Sequence, residues 1–503
     1  MTNPEVLSQL ISACPTAARM CELFLEICDV PRPSFYSEKI VAWLKSYAAS
    51  KNYECTVDSF NNVYIKVPAT PGCENAPSIC IQGHSDIVAV WDREVYAERD
   101  PKVDPVVPRL VEQNGEMWLM GSNTSLGADN GVAIASALAL AEDPSVKHGV
   151  LEILITSDEE VGLIGAFGLE RNCISSPYVI NADSEEEGAI CLGCAGGFNF
   201  TAIHKAERKS FKGELVTMSL TGFAGGHSGV DIHQERGSAI KAFGRIMVDA
   251  IENGVDARLI SVKAGIAHNA IPFSLTSELS VSDLSKFKNI AEKTFSEIAE
   301  EFMVTDPKAT LRFTPCDSKV KPLTEEISQK TFRLALTMPV GPLRRSKTIP
   351  SMVESSFATT ILQTTTEEGR EIVKFLGSGR SSSKTHMPSI WREVESIAKL
   401  SGFEASEMIG AYPAWPPLEP KESPLCQIAQ SHAQGIFGKE AHTYAIHAGL
   451  ETSVVMEKCD HKICGISLGP EIQCPHSTTE KCLVPSIERY YIWMREIING
   501  ICA

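Results

Sequence analysis

The chain has 503 residues, 43% hydrophobic and 22% charged, which is globular composition long enough for two or more structural units. Its formal net charge is −17, from 63 acidic and 46 basic side chains. No Lys/Arg block stands out, so no nucleic-acid partner is expected, and anionic membrane surfaces are disfavoured for the same reason.

The first part predicts alternating helices and strands. Apolar residues recur at helical spacing over Ala17–Ile27 and Ser37–Ala48. Short apolar runs follow at Val63–Val67, Ser78–Ile81, Leu151–Ile155 and Tyr178–Ile180, and near-continuous apolar strands imply a sheet covered on both faces. Between them the run Gly131–Ala141, rich in Ala, Val and Leu, predicts a tightly packed helix behind a strand. After Gly196-Gly197 the strands alternate better, at Glu214–Thr221 and Leu275–Val281, with amphipathic helices at Ser238–Ile251 and Ser285–Phe302. That pattern predicts an α+β unit, inserted or following. Pro413, Pro416, Pro417 and Pro420 mark a boundary near residue 412. The tail returns to helix and strand at Cys426–Phe437, Lys462–Leu468 and Ile487–Ile501.

Sixteen cysteines are scattered through a chain too long to need staples, so they read as thiols in a reducing, cytoplasmic protein. Met1–Leu10 lacks a basic stretch followed by an apolar core, so no secretory signal is expected. No apolar run reaches the length of a membrane span. Cys191 and Cys194 form a C-x-x-C pair, but no second pair stands at zinc-finger spacing.

Metal-type side chains stand at the ends of the predicted strands, where open α/β sheets place their sites. His84 and Asp86 are two apart after the strand ending at Ile81, so they face the same way, and Asp86 is placed to orient His84. A surface His–Asp pair is the bland alternative. Asp129 opens the Ala-rich helix, either as a cap or as a bridging metal carboxylate. Asp158-Glu159-Glu160 follows a buried strand, where three acids repel unless a cation or proton compensates. One Glu then suits a metal and the other a water; a solvated turn is the alternative. Asp183 follows the strand Tyr178–Ile180, where a lone Asp is more often a turn former, while Glu185 to Glu187 read as solvated. His476, in Cys474-Pro475-His476-Ser477, is preferred over Cys474 as a ligand because thiolates are unusual in carboxylate-rich hydrolytic sites. Two imidazoles and at least three carboxylates are about the set that two zinc-class ions need. H-E-x-x-H and a Walker A loop are absent, and Ser381-x-x-Lys384 is a short match in a Ser-rich loop.

In order along the chain, these clusters resemble the co-catalytic zinc metallopeptidases that include carboxypeptidase G and peptidase T. Gly83-His84-Ser85-Asp86, Ser125–Gly131 and Asp158–Gly162 are similar to that family's metal motifs. Gly165–Leu169, Asp183–Gly188 leading to Gly193–Gly197, and His447-Ala448-Gly449-Leu450-Glu451 resemble its aminoacyl-histidine dipeptidase branch.

The resemblance implies an α/β catalytic domain with a mixed central sheet flanked by helices, plus an inserted α+β lid. It divides the chain into 1–197 (catalytic), 198–412 (lid and dimerisation) and 413–503 (catalytic). It implies two divalent ions, zinc with cobalt or manganese as alternatives. His84 and Asp183 would hold one, Glu160 and His476 the other, and Asp129 both. Asp86 would steady His84, and Glu159 would be the general base. His227, in Gly225-Gly226-His227-Ser228-Gly229, resembles an oxyanion-stabilising lid histidine. Asn269, Arg380, His447 and Gly449 would bind a dipeptide, with Arg380 suited to its carboxylate. A cis peptide after Asp129 and a homodimer are further implications. His268, Phe273 and Ser382–Thr385 depart from the family pattern, which leaves the dipeptide specificity open.

Overall fold

The computed structural model describes residues 4–502 apart from positions 348, 350 and 351; positions 1–3 of the leading segment lie outside it. The chain divides into two compact units. Unit 1 is Met1–Gly193, Pro417–Ala445 and Leu450–Ala503; unit 2 is Cys194–Pro416 with Ile446–Gly449. His447 and Gly449, which the sequence reading assigns to the closing segment 413–503, thus group with unit 2.

Unit 1 is built on an eight-stranded sheet. Its order is Glu54–Val57, Val63–Val67, Leu151–Thr156, Ile79–His84, Tyr178–Asn181, Cys464–Ser467, Ala189–Cys194 and His442–Ile446. Ile79–His84 runs parallel to both Leu151–Thr156 and Tyr178–Asn181, and every residue of it is buried. Strands buried on both faces have no polar side to alternate with, hence the continuous apolar runs. The parallel register brings three carboxyl ends, at His84, Thr156 and Asn181, to one edge.

Behind that edge packs the helix Ala128–Glu142, almost wholly buried. Its small side chains let the strand come close. A Cβ on Gly83 would stand 2.5 Å from Ala133 Cβ and 2.3 Å from Asn130 Oδ1. Helix Val484–Cys502 buries Tyr490, Trp493 and Met494 in the same core. A smaller sheet pairs Lys481–Leu483 with Glu116–Gly121, Lys481 lying opposite Met120.

Unit 2 carries a second, antiparallel sheet, ordered Thr310–Pro315, Glu214–Thr221, Leu275–Val281, Ala257–Ala264, Val353–Glu367, Arg370–Ser381, Gly196–Lys205 and Glu404–Ala405. One face of Glu214–Thr221 is buried residue by alternate residue, the pattern of a sheet covered on one side. Helices Ala239–Glu252 and Glu325–Thr337 meet through Phe243 and Phe332, in an edge-on ring contact with 5.6 Å between centroids.

One further reading needs correction. Glu185 and Glu187 are not solvated: burial pushes the Glu185 carboxyl up to about 8, and Glu187 takes a two-pronged hydrogen bond from Arg489 at 2.6 and 2.9 Å. Their loop is anchored to the helix Val484–Cys502, a long-range contact no local pattern reveals. None of the sixteen cysteines is in a disulfide, and Cys191 and Cys194 are buried. Among the described residues no helix is long and apolar enough to cross a membrane.

Candidate dinuclear active site

Five side chains from separate segments of unit 1 converge at the carboxyl edge of the sheet. His84 Nε2 lies 3.0 Å from Asp129 Oδ1 and 3.4 Å from Asp183 Oδ1. His476 Nε2 lies 3.1 Å from the other Asp129 oxygen and 2.9 Å from Glu160 Oε2. Three groups result, His84–Glu159–Glu160 besides the two triads His84–Asp129–Asp183 and Asp129–Glu160–His476, each with its ligand atoms within 4.8 Å of one another. Asp129 belongs to both triads.

The backbone explains the convergence. Gly127 is in the left-handed region at φ 71, and the Asp129–Asn130 peptide is cis. Asp129 points one oxygen at each imidazole. The helix's N-cap position, Gly127, has no side-chain cap, so Asp129 is not spent on capping. Asn130 locks the helix start to its neighbours: its Oδ1 accepts from His84 N at 3.2 Å and its Nδ2 donates to Ala182 O at 2.9 Å. Asp158 and Leu163, both with φ near 60, turn the chain sharply after strand Leu151–Thr156. Glu159 and Glu160 sit on that turn.

Asp86 has a wider reach than an orienting partner of His84. Its Oδ1 is 3.4 Å from His84 Nδ1, which also meets Asp86 O at 3.1 Å. Its carboxylate accepts from the backbone of Glu159 at 3.0 Å and of Glu160 at 3.3 Å, and from Ser34 Oγ at 2.7 Å. One buried acid thus ties the first metal motif to the paired-glutamate turn.

The electrostatics are those of a site with surplus negative charge. Burial opposes a charge on His84, yet Asp183, Asp129 and Asp86 raise its pKa well above the ordinary imidazole value. Hydrogen bonds to Asp129 and Glu160 push His476 up to about 11. Burial raises Asp183 to about 6 and lifts Glu159 well above the carboxylate range, with Asp183, Glu451 and Glu160 adding to it. Glu160 Oε1 is buried without a hydrogen-bond partner. An orphaned carboxylate oxygen and two imidazoles crowded by acids are what divalent cations would satisfy. The donor set, nitrogen and carboxylate oxygen without sulfur, fits zinc-class ions. Cys474, exposed beside His476, belongs to neither triad.

Unit 2 holds a separate constellation. His227 Nδ1 accepts from Gly229 N at 3.2 Å and Val230 N at 3.0 Å. Two backbone donors on one ring nitrogen fix the tautomer, so the proton of the neutral ring sits on Nε2. Burial, with the Arg380 charge, pushes the His227 pKa down to about 4. Asn269 O accepts from Ser228 N at 2.8 Å, holding Asn269 beside this loop. His447 Nε2 meets Ser356 Oγ at 2.8 Å, and burial together with Arg380 pushes its pKa down to about 3. Ser356 and Arg380 are register partners on adjacent strands. Gly449 packs flat against Tyr412: a Cβ there would stand 2.7 Å from the ring.

The sequence reading missed Glu451, Glu480, Arg32, Ser356 and Tyr412. Glu451 is fully buried behind the triads, accepting from Thr156 Oγ1 at 2.5 Å and Gln82 Nε2 at 2.6 Å. Its local signals are its place in the stretch His447–Glu451 and a charged residue at the start of the helix Glu451–Lys458, which also describes an ordinary helix start.

No family model matches the chain. The cytosol non-specific dipeptidase of Escherichia coli (strain K12) is 34% identical over 487 residues, 96% of this chain and 97% of the relative. The crystal structure of aminoacylhistidine dipeptidase from Vibrio alginolyticus superposes with a TM-score of 0.85 at 30% identity, covering 96% of each chain. An M20 family metallo-carboxypeptidase from Sulfolobus solfataricus shares the fold, with a TM-score of 0.52 at 11% identity over 96% of this chain and 99% of its own. With near-complete coverage at this identity, the chain belongs to the aminoacyl-histidine dipeptidases, the branch that includes the cytosol non-specific dipeptidase.

Proposed function

We propose that the chain hydrolyses dipeptides, Xaa-His dipeptides among them, at a dinuclear metal site in unit 1. The observation that carries this reading is the pair of triads sharing Asp129, with Glu159 on the same turn as Glu160. His84 and Asp183 would hold one ion, Glu160 and His476 the other, with Asp129 common to both. Bound there, two zinc-class ions supply a water of low pKa and polarise the scissile carbonyl.

The chain's own residues do the rest. Burial first, and then the neighbouring carboxylates of Asp183, Glu451 and Glu160, raise the proton affinity of Glu159, which suits a general base. It takes a proton from the attacking water and returns it to the departing amine. Asp86 keeps His84 and the Glu159–Glu160 backbone in register. His227 offers a neutral Nε2–H to the developing oxyanion. Arg380, with Asn269, His447 and Gly449 near it in unit 2, takes the substrate carboxylate in a forked contact.

We also infer the division of labour by segment. Residues 1–197 and 413–503 form the catalytic domain and 198–412 the lid, with His447 and Gly449 contributed to the lid's group. The bacterial relative's name places that protein in the cytosol, and the same compartment is proposed here. The homodimer rests on the family resemblance.

The test is metal content per chain with hydrolysis of β-Ala-His, Ala-His and an N-acetyl amino acid, before and after chelation. About two ions per chain with chelator-sensitive dipeptide cleavage is the expected result. Two ions with deacylation only would move the substrate class to N-acyl amino acids. No metal and no hydrolysis would overturn the reading.

A further inference from the structure

We propose that Glu480 and Arg32 are a positioning pair that fixes the spacing between the loops carrying His84 and Asp129; the proposal rests on the dinuclear reading above. Neither residue belongs to a triad. Both are 2% exposed, and both act on backbone rather than on side chains.

Glu480 fills a nest of four successive amides. Its Oε2 accepts from Leu126 N at 2.8 Å and Gly127 N at 3.0 Å, and its Oε1 from Ala128 N at 2.8 Å and Asp129 N at 3.3 Å. Consecutive amides that converge in this way make an anion site, and here the anion comes from the chain itself. The pairing of Lys481 with Met120 delivers Glu480 beneath the loop. Buried donors left without an acceptor are costly, so the loop that presents Asp129 depends on this carboxylate for its shape.

Arg32 holds the carbonyl side of the same loop and reaches across to the other. Its Nη2 donates to Gly127 O at 2.6 Å, while Nη1 donates to Ser85 O at 3.0 Å and Asp86 O at 3.4 Å. The planar fork therefore spans the segment after His84 and the segment before Asp129. Two glycines make room for it: a Cβ on Gly127 would lie 2.9 Å from Nη2, and one on Gly131 2.5 Å. The opposite charges of Glu480 and Arg32 grip opposite sides of one loop, and the Glu480 carboxylate offsets part of the burial of Arg32.

Two variants test this. Glu480→Gln keeps the shape but turns half the nest's acceptor into an N–H donor. Arg32→Lys keeps the charge but loses the fork that bridges two loops. Metal affinity is measured by equilibrium dialysis against buffered zinc, at a temperature well below the unfolding of the chelated protein. Both variants should bind zinc more weakly, Glu480→Gln by about 10- to 100-fold, the range for residues that orient ligands from behind. Saturating metal should then restore kcat, with KM for the dipeptide unchanged. A merely structural role would lower the unfolding temperature of the chelated protein and leave the zinc affinity of the folded protein as it was. Wild-type affinity in both variants, or a kcat that excess metal does not recover, overturns the proposal while leaving the dinuclear reading intact. A wild-type protein that binds no zinc overturns both.

Discussion

Arg380 donates from Nη1 to the Tyr412 phenol oxygen at 2.5 Å. Tyr412 is wedged between two glycines: a Cβ on Gly197 would stand 2.5 Å from its hydroxyl oxygen, and one on Gly449 2.7 Å from its ring. Arg380 itself is 7% exposed, and its strand neighbour Ser356 reaches His447. A guanidinium held by a neutral phenol keeps its full charge for an incoming anion. Tyr412→Phe removes that support without emptying the space. It should raise KM for dipeptides by about tenfold, near the ~1.5 kcal/mol that a hydrogen bond to a charged group contributes. Steady-state kinetics on β-Ala-His decide it; an unchanged KM would detach Tyr412 from substrate binding.

Glu159→Gln keeps the shape of the paired-glutamate turn, because the bonds from Asp86 go to the backbone of Glu159 and Glu160. Metal content should stay at the wild-type level while kcat falls by about 10²- to 10⁴-fold, the range for loss of a general base. Metal analysis alongside turnover checks it. Near-normal kcat would remove Glu159 from the mechanism.

His227→Ala should lower kcat by about 10²- to 10³-fold with little change in metal content, as for removal of one oxyanion donor. Mixing it with Glu159→Gln tests the homodimer. If each lid histidine serves the partner's site, heterodimers regain one intact site, and random reassortment should return about a quarter of wild-type activity. No recovery in verified heterodimers would mean that His227 serves its own chain.

His447 and His227 carry pKa values of about 3 and about 4, first because of burial and then because of Arg380. Both lie below the ordinary imidazole value, so acid favours the unfolded chain, which binds these protons more readily. Stability is therefore retained above about pH 6.5 and lost as pH falls toward 4, by at most about 1.4 kcal/mol per pH unit for each ring. Denaturant midpoints at pH 7.5, 6 and 5 should show a smaller acid loss for His447→Gln than for wild type. Parallel curves would mean that His447 has no part in acid sensitivity.

The metal motifs were legible because each is local: a strand end, a turn and an acid or imidazole within a few residues. Asp158-Glu159-Glu160 after an apolar strand carries its own contradiction, three acids at a buried terminus, which a cation would resolve. Gly127 and Gly131 flank Asp129 in the sequence, and the structure puts Gly127 in the left-handed region. The sheet itself follows from continuous apolar runs, which leave no alternative to burial on both faces. Helix and strand positions needed only the periods of 3.6 and 2.

Tertiary structure decided everything that depends on residues distant in sequence. Which acids come to lie beside which imidazole is set by the parallel pairing of Ile79–His84 with its two neighbours, and no spacing encodes that register. Glu480 meets the amides of Leu126 to Asp129 across more than 350 positions, and Arg32 meets Gly127 across 95. In sequence each looks like any surface charge. Local patterns report the free energy of burying a face or turning a chain; they do not report which buried charge finds which backbone group. That is fixed only when the loops are closed around the core.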